Sequence, residues 1–326
     1  MLSSLSAVIH QTGNPDSFSI EQTNIRAPLP DEVVIKHIAI GVNYIDSYYR
    51  SGLYPTELPA IIGGEAVGII ERIGSNVTEF TIGERVAYSA AKGGAYSQYT
   101  TISASELVIV PDSLASDIVA SSLLRGMTVE YLMCRLYPLK RGQTVLIHAA
   151  GGGVGLLACQ WAKAIGARVI GTVSSAEKAD IARQHGCDFP IIYTEDDFAQ
   201  QVIKLTKGEK VDVVYDGIGK TTFMKSLDCL KPRGMMVSFG NASGKPEPLD
   251  ILELTKRGSL FLSRPTLYDY TRDRSELMES ARRYFNMLEK GLIKVPAIKT
   301  FALEDAASAH HYLSKRSRTK TPILLP

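Results

Sequence analysis

The chain has 326 residues, enough for two ordinary domains and a large core without disulfide or metal staples. Hydrophobic residues make up 45% and charged residues 21%, which excludes a disordered, collagen-like or coiled-coil chain. The 36 basic and 34 acidic residues leave a net charge of +2, so nothing electrostatic favours nucleic acid or a membrane surface.

The N-terminus, Met1 to Ser6, lacks the basic and apolar regions of a signal peptide. Residues 33–40, 66–73, 85–88, 96–101 and 107–110 read as strands. Turn-rich pieces such as Gly63-Gly64, Gly74-Ser75-Asn76 and Gly93-Gly94 separate them. Helical periodicity is scarce there, so this part reads as an irregular β domain. In the central third, apolar and β-branched runs recur at 145–148, 168–173, 189–193, 211–215, 235–239 and 259–262, with starts 21 to 24 residues apart. Helical stretches lie between most of them: 155–165, one opening at Ser174 and stopping at Gly186, 196–207 and 221–230. Ser174 with Glu177 three residues later reads as a capping box. Strands alternating with helices of this length predict βαβ units and a doubly wound parallel sheet. A helix at 275–290, a strand at 297–301, a helix at 304–315 and an apolar final segment at 323–325 complete the chain. That tail is too short to fold alone.

The uncharged stretch 142–162 has about the ~20 residues a membrane span needs. It contains Gln143, His148, Gln160 and a triple glycine, so a strand, a turn and a helix explain it better. Cys134, Cys159, Cys187 and Cys229 form no CxxC pair and read as four buried thiols in a reducing compartment. The expected location is the cytoplasm.

The sharpest signal is the run from Thr144 to Gly155, a predicted strand that turns through Ala149-Ala150-Gly151-Gly152-Gly153 into a predicted helix. Set on the dinucleotide fingerprint it reads Ala150-x-Gly152-x-x-Gly155, with alanine in the first glycine's place. Gly152 lets the backbone approach a pyrophosphate, and Gly155 lets the helix pack on the strand. The phosphates then meet the helix N-terminus. An NAD site places an Asp or Glu at the end of the second strand. Here that end is followed by Ser174 and Ser175, with Lys178 close behind and Tyr193 at the end of the third strand. Hydroxyls and a cation suit a 2′-phosphate, so the pattern favours NADP(H). Glu177 argues the other way, and its capping role accounts for it.

On these residues the chain resembles the medium-chain dehydrogenase/reductase superfamily, in the quinone oxidoreductase branch related to zeta-crystallin. The likeness is carried by 41–55, by Gly63-Gly64-Glu65-Ala66-Val67-Gly68, by 148–163, by Val214-Tyr215-Asp216-Gly217-Ile218-Gly219 and by Ser238-Phe239-Gly240-Asn241. It implies an α/β fold: a Rossmann sheet plus a GroES-like β domain. The implied division is 1–124 as the first part of the catalytic domain, 125–266 as the NADP-binding domain, and 267–326 returning to the catalytic domain. It implies that Asn43 and Tyr48 orient the substrate in the cleft near the nicotinamide, beside Asp46. It further implies cofactor contacts from Asp46, Tyr131, Gly152, Gly153, Ser174, Lys178, Tyr193, Phe239, Asn241, Arg264 and Arg316, besides Gly155 and Ser175 from the loop and the strand end. A homodimer is expected from the family.

The alcohol dehydrogenases of that superfamily hold zinc with a Cys and a His where this chain has Asn43 and Gly64, neither a zinc ligand. Their four-cysteine structural lobe is missing too. A metal-free enzyme is therefore expected. Without a Lewis acid, reduction of an electron-poor acceptor fits better than alcohol oxidation. The resulting expectation is an NADPH:quinone oxidoreductase. The alternatives are an NADPH-dependent reductase of 2-alkenal or enone double bonds and, in another class, a crystallin-like structural or RNA-associated protein. Near-neutral charge argues against strong RNA binding. Three features read as decoys. Tyr88-x-x-x-Lys92 precedes the glycine loop, where the short-chain Tyr/Lys chemistry needs it to follow. Adjacent His310 and His311 point to different faces of one surface helix. His148 reads as a packed strand residue, not a base.

Overall fold

The computed structural model describes residues 2–91 and 93–326. They divide into two compact units. The first holds the chain up to Leu124 together with Thr271–Glu289 and Val295–Pro326; the second holds Arg125–Tyr270 and Lys290–Lys294.

The first unit opens with an antiparallel hairpin absent from the sequence reading, β1 (Leu2–Ile9) and β2 (Phe18–Ile25). Buried Ser4 and Ser6 on β1 hide its apolar alternation. Their hydroxyls are matched instead: Ser4 Oγ accepts the Tyr99 N–H at 3.1 Å, and Ser6 Oγ lies 2.8 Å from Thr23 Oγ1. Next come β3 (Glu32–Gly41), the short helix α1 (Tyr44–Arg50), β4 (Ala60–Ile61), β5 (Glu65–Ile73), β6 (Arg85–Ser89), β7 (Tyr99–Ser103) and β8 (Leu107–Ile109). Helix α2 (Ser116–Ala120) follows, and α3 (Leu123–Glu130) passes from the first unit into the second after Leu124, running on as a π turn over Tyr131–Leu136.

In the second unit strands and helices alternate: β9 (Thr144–Ile147), α4 (Gly153–Ile165), β10 (Arg168–Val173), α5 (Ala176–Gln184), β11 (Phe189–Ile192), α6 (Phe198–Leu205), β12 (Val211–Asp216), α7 (Phe223–Asp228), β13 (Leu230–Ser238), α8 (Leu252–Lys256), β14 (Phe261–Ser263) and α9 (Leu267–Tyr270). All six strands run parallel in the order β11-β10-β9-β12-β13-β14. This is the doubly wound order, whose direction reverses at β9. Leu146, Ile170, Ile191, Val214 and Met236 present one sheet face to Phe198, Val202, Phe223 and Leu227 of α6 and α7. Each such side chain contributes about 1.5–3 kcal/mol by leaving water. Helix α4 ends at Gly166, whose φ of +92° is the left-handed stop glycine supplies cheaply.

The chain then returns to the first unit as α10 (Arg274–Glu289), β15 (Ile298–Ala302), α11 (Ala306–Ser314) and β16 (Thr321–Leu325). Strand β16 pairs with β3, so the tail completes the sheet β15-β16-β3-β5-β6-β8, with β7 also on β3. Leu303, Ala306, Ala309 and Leu313 join Ile35, Ile40, Ile70 and Tyr88 in one core. Among the described residues, no helix is long and apolar enough to cross a membrane.

One reading of the sequence is corrected here. Cys134 is half-buried, while the other three thiols are buried, and all four are free. His310 is fully buried inside the first unit, whereas only its neighbour His311 faces solvent and meets Asp16 Oδ1 at 2.8 Å.

Candidate active site

The glycine loop leaves β9 at the point where strand order reverses, the position at which such sheets receive ligands. His148 is buried there, its ring nitrogens 3.0 Å from Thr172 Oγ1 and 2.8 Å from Ser226 Oγ, and burial lowers its pKa. Ala149 takes φ of +52°, a left-handed turn made without glycine. A Cβ on Gly155 would collide with Ala149 O and lie 2.8 Å from Ala150 Cα, so only glycine lets α4 pack this closely. Ala150 fits in the first glycine's place because Gly171, opposite it on β10, is bare; a Cβ there would run into Ala150 Cβ. Gly152 is the N-cap of α4, and the helix carries no acidic residue in its first turn. The first-turn N–H groups of a helix have no partner within it, and with the helix dipole they suit a phosphate.

Beside this loop stands a residue that sequence reasoning missed. Arg125 is buried, and a Cβ on Gly153 would lie 3.1 Å from its Nε. The available signal was that Arg125 and Glu130 are the only charges between 118 and 134.

At the end of β10 the structure corrects the cap. The N-cap of α5 is Ser175, whose Oγ accepts the Lys178 N–H at 3.4 Å, so the box from Ser174 to Glu177 does not form. Glu177 is exposed. Lys178 lies against the glycine loop: a Cβ on Gly151 would be 3.1 Å from Lys178 Cβ and 3.5 Å from its Cδ. Tyr193, exposed, is held beside β10 by its N–H donating to Val173 O at 3.1 Å.

A third group gathers past β12 and β13. The Phe239 N–H donates to Asp216 O at 2.8 Å, and its ring lies over Gly217. The Asn241 amide donates to Gly240 O at 3.0 Å and accepts from Arg264 Nη2 at 3.2 Å. Arg264 Nη1 also donates to Ser238 O at 2.7 Å. Tyr131 is buried and stacked on Tyr270 at 4.5 Å between ring centroids, and burial raises its pKa.

The first unit holds Asn43, Asp46 and Tyr48 around α1. Asn43 Nδ2 donates to Glu65 Oε2 at 2.6 Å. Asp46 is 1% exposed and its Oδ2 accepts the Asn43 N–H at 2.7 Å and the Tyr96 O–H at 3.0 Å. A hydroxyl has one proton, so Tyr96 accepts from His310 Nε2, 2.8 Å away. Tyr48 is half-buried, its ring edge-on to Tyr54 at 5.2 Å. Arg316 is exposed in this unit, while Arg318 donates to Leu313 O at 2.7 Å and covers the Tyr44 ring. Of the decoys, Tyr88 is buried with its OH 2.9 Å from His37 Nε2, and Lys92 lies outside the described residues.

Burial holds the His37 pKa at about 4 and the His310 pKa at about 3. Both lie below the unfolded value of about 6.5, so the unfolded chain binds more protons below that pH. Stability is therefore lost as pH falls from about 6.5 toward about 4, by roughly 2–3 kcal/mol per histidine at about pH 4.5. Urea unfolding at neutral pH and at about pH 4.5 measures this. The variants His37→Asn and His310→Asn should each flatten the slope, and an unchanged slope in both rejects the assignment.

Zinc does not suit the residues present. Asn43 spends an amide proton on Glu65, Gly64 has no side chain, and among the described residues no three His, Cys, Asp or Glu side chains gather as a metal site.

Two family models match the chain. One described as an alcohol dehydrogenase GroES-like domain covers residues 29–112, and one described as a zinc-binding dehydrogenase covers residues 153–281. The chain is 45% identical to a quinone oxidoreductase of Pseudomonas aeruginosa, over 96% of this chain and 97% of that protein. It is also 45% identical to a 2-haloacrylate reductase of a Burkholderia species, over 99% of each. The crystal structure of Escherichia coli quinone oxidoreductase complexed with NADPH superposes with a TM-score of 0.96 at 40% identity, covering 99% of this chain and 100% of that one. A GroES-like β unit joined to a Rossmann unit with a dinucleotide loop defines a two-domain dehydrogenase/reductase. The chain belongs to the medium-chain dehydrogenase/reductase superfamily, in its quinone oxidoreductase branch.

Proposed function

We propose that the protein is a zinc-independent NADPH:quinone oxidoreductase. The observation that carries the cofactor choice is the end of β10, where Lys178 packs on the glycine loop beside Ser174 and no carboxylate closes the strand. The α4 N-terminus, framed by Gly152, Gly153 and Gly155, would hold the pyrophosphate. Ser174, Lys178 and Tyr193 would hold the 2′-phosphate end, and Arg316 of the returning segment would be a further cofactor contact. Ser175 serves this end by capping α5 and presenting Lys178. Phe239, Asn241 and Arg264, with Tyr131, would line the path toward the nicotinamide. NADPH, when bound, would supply the reducing equivalents. Tyr48 donates a hydrogen bond to the acceptor carbonyl as negative charge develops, and Asn43 orients it. Asp46, whose Oδ2 accepts the Asn43 N–H and the Tyr96 O–H, would hold α1 in place and add a cofactor contact. In this reading the first compact unit is the catalytic domain and the second the cofactor domain, so the return to the catalytic domain expected at 267 falls at 271 and 290–294 go with the cofactor domain.

A second reading is favoured by one observation, the 45% identity to a 2-haloacrylate reductase: reduction of an activated carbon–carbon double bond on the same residues. NADPH consumption followed with a quinone and with a 2-alkenal in chelator-treated enzyme separates them. Turnover of the quinone is expected, unaffected by chelation. Turnover of the alkenal alone would overturn the quinone assignment, and zinc dependence would overturn the metal-free one.

The reading includes a cytoplasmic homodimer. Four free thiols suit a reducing compartment. Strand β14 ends the six-stranded sheet and carries Phe261 at 57% exposure, a free apolar edge of the kind a second copy covers. Light scattering is expected to give twice the chain mass, and Phe261→Lys to shift it toward the single chain. A wild-type monomer would refute the dimer.

A further inference from the structure

Glu65 opens β5 and is fully buried. Burying a carboxylate is costly unless N–H donors meet it. The Leu124 N–H donates to Oε1 at 2.7 Å, and Asn43 Nδ2 donates to Oε2 at 2.6 Å. Strand β3 clears the space: a Cβ on Gly41 would run into Glu65 Oε2 and lie 2.8 Å from Glu65 Cδ. From this geometry we infer that Glu65 is a positioning residue for the reaction, acting through the Asn43 carboxamide. The inference rests on the role given to Asn43 above.

Accepting from Asn43 Nδ2, Glu65 opposes the flipped amide, as does the capping box in which the Asn43 side chain accepts the Asp46 N–H. Asp46 meanwhile holds the Asn43 backbone N–H at 2.7 Å. Residue 43 is thus gripped by two carboxylates, one on its backbone and one on its side chain. The Leu124 bond ties the same carboxylate to the first turn of α3, so the orientation of Asn43 is referred to two elements and not to its own loop alone.

Glu65→Gln keeps the shape and an acceptor for the Leu124 N–H. It also sets a new side-chain NH2 against that of Asn43, and Asn43 must turn its oxygen inward. Steady-state kinetics on wild type, Glu65→Gln, Asn43→Ala and the double variant test this, with the NADPH Kd and Tm measured for each. The expected result is a fall in kcat of about tenfold to hundredfold for Glu65→Gln, with the NADPH Kd unchanged. The double variant should be no slower than Asn43→Ala alone, because both substitutions remove one device. Losses that multiply in the double variant, or a wild-type kcat for Glu65→Gln, overturn the inference. A wild-type kcat for Asn43→Ala would instead overturn the role of Asn43, and the inference with it. Should Glu65→Gln not fold, Glu65→Asp, which keeps the charge but withdraws it by one methylene, enters the same cycle under the same criteria.

Discussion

Replacing Lys178 by alanine is expected to raise the Kd for NADPH about 10- to 100-fold and to leave that for NADH nearly unchanged. A hydrogen bond to a charged partner contributes about 1.5–3 kcal/mol, and NADH lacks the 2′-phosphate that would receive it. The side-chain stem of Lys178 is already set by packing against Gly151, so little ordering is lost when the phosphate arrives. The Ser175 cap fixes the same residue from its backbone side. Titrations of both cofactors at two salt concentrations check this, and the gap between them should narrow at high salt. Equal losses for the two would refute the 2′-phosphate assignment.

The second large effect concerns the turn itself. Gly155→Ala places a Cβ against Ala149 O and 2.8 Å from Ala150 Cα. Both obstacles are backbone, and Ala149 already holds a left-handed φ of +52°, so the turn has no easy way to yield. The helix must move off the strand, at a cost of about 3 kcal/mol in packing, or about a hundredfold in cofactor affinity if the native turn is held. Gly152→Ala is a graded control, because its nearest obstacle, Ala149 O, is 3.0 Å away. Thermal unfolding with and without NADPH should rank Gly155→Ala well below Gly152→Ala. Equal melting temperatures would show that tight helix–strand packing is not why glycine stands at 155.

Much of the second unit was legible because its signals are local. The inner strands β9, β10 and β12 are buried on both faces and read as short apolar runs, and the glycine turn lies within twelve residues, Thr144 to Gly155. The cap of α5 was misread by one position because Ser174 and Ser175 both suit an N-cap. Where β10 ends decided between them. Strand β1 was missed because buried serines replace apolar residues on its inner face. Helix α1 was missed because, over Tyr44–Arg50, it is too short for a periodic pattern.

The amino-acid sequence by itself determined the doubly wound sheet, the position of the dinucleotide turn and the polar residues at the end of β10. All of these depend on neighbours along the chain. Tertiary structure alone decided the polar framework of the first unit, in which Glu65, Asn43, Asp46, Tyr96 and His310 come together from β5, α1 and α11 and from the chain before β7. Its residues span positions 43 to 310, and no periodicity connects them. What brings them together is the burial of charge: once the sheets close around these carboxylates, only matching N–H and O–H donors make the fold affordable.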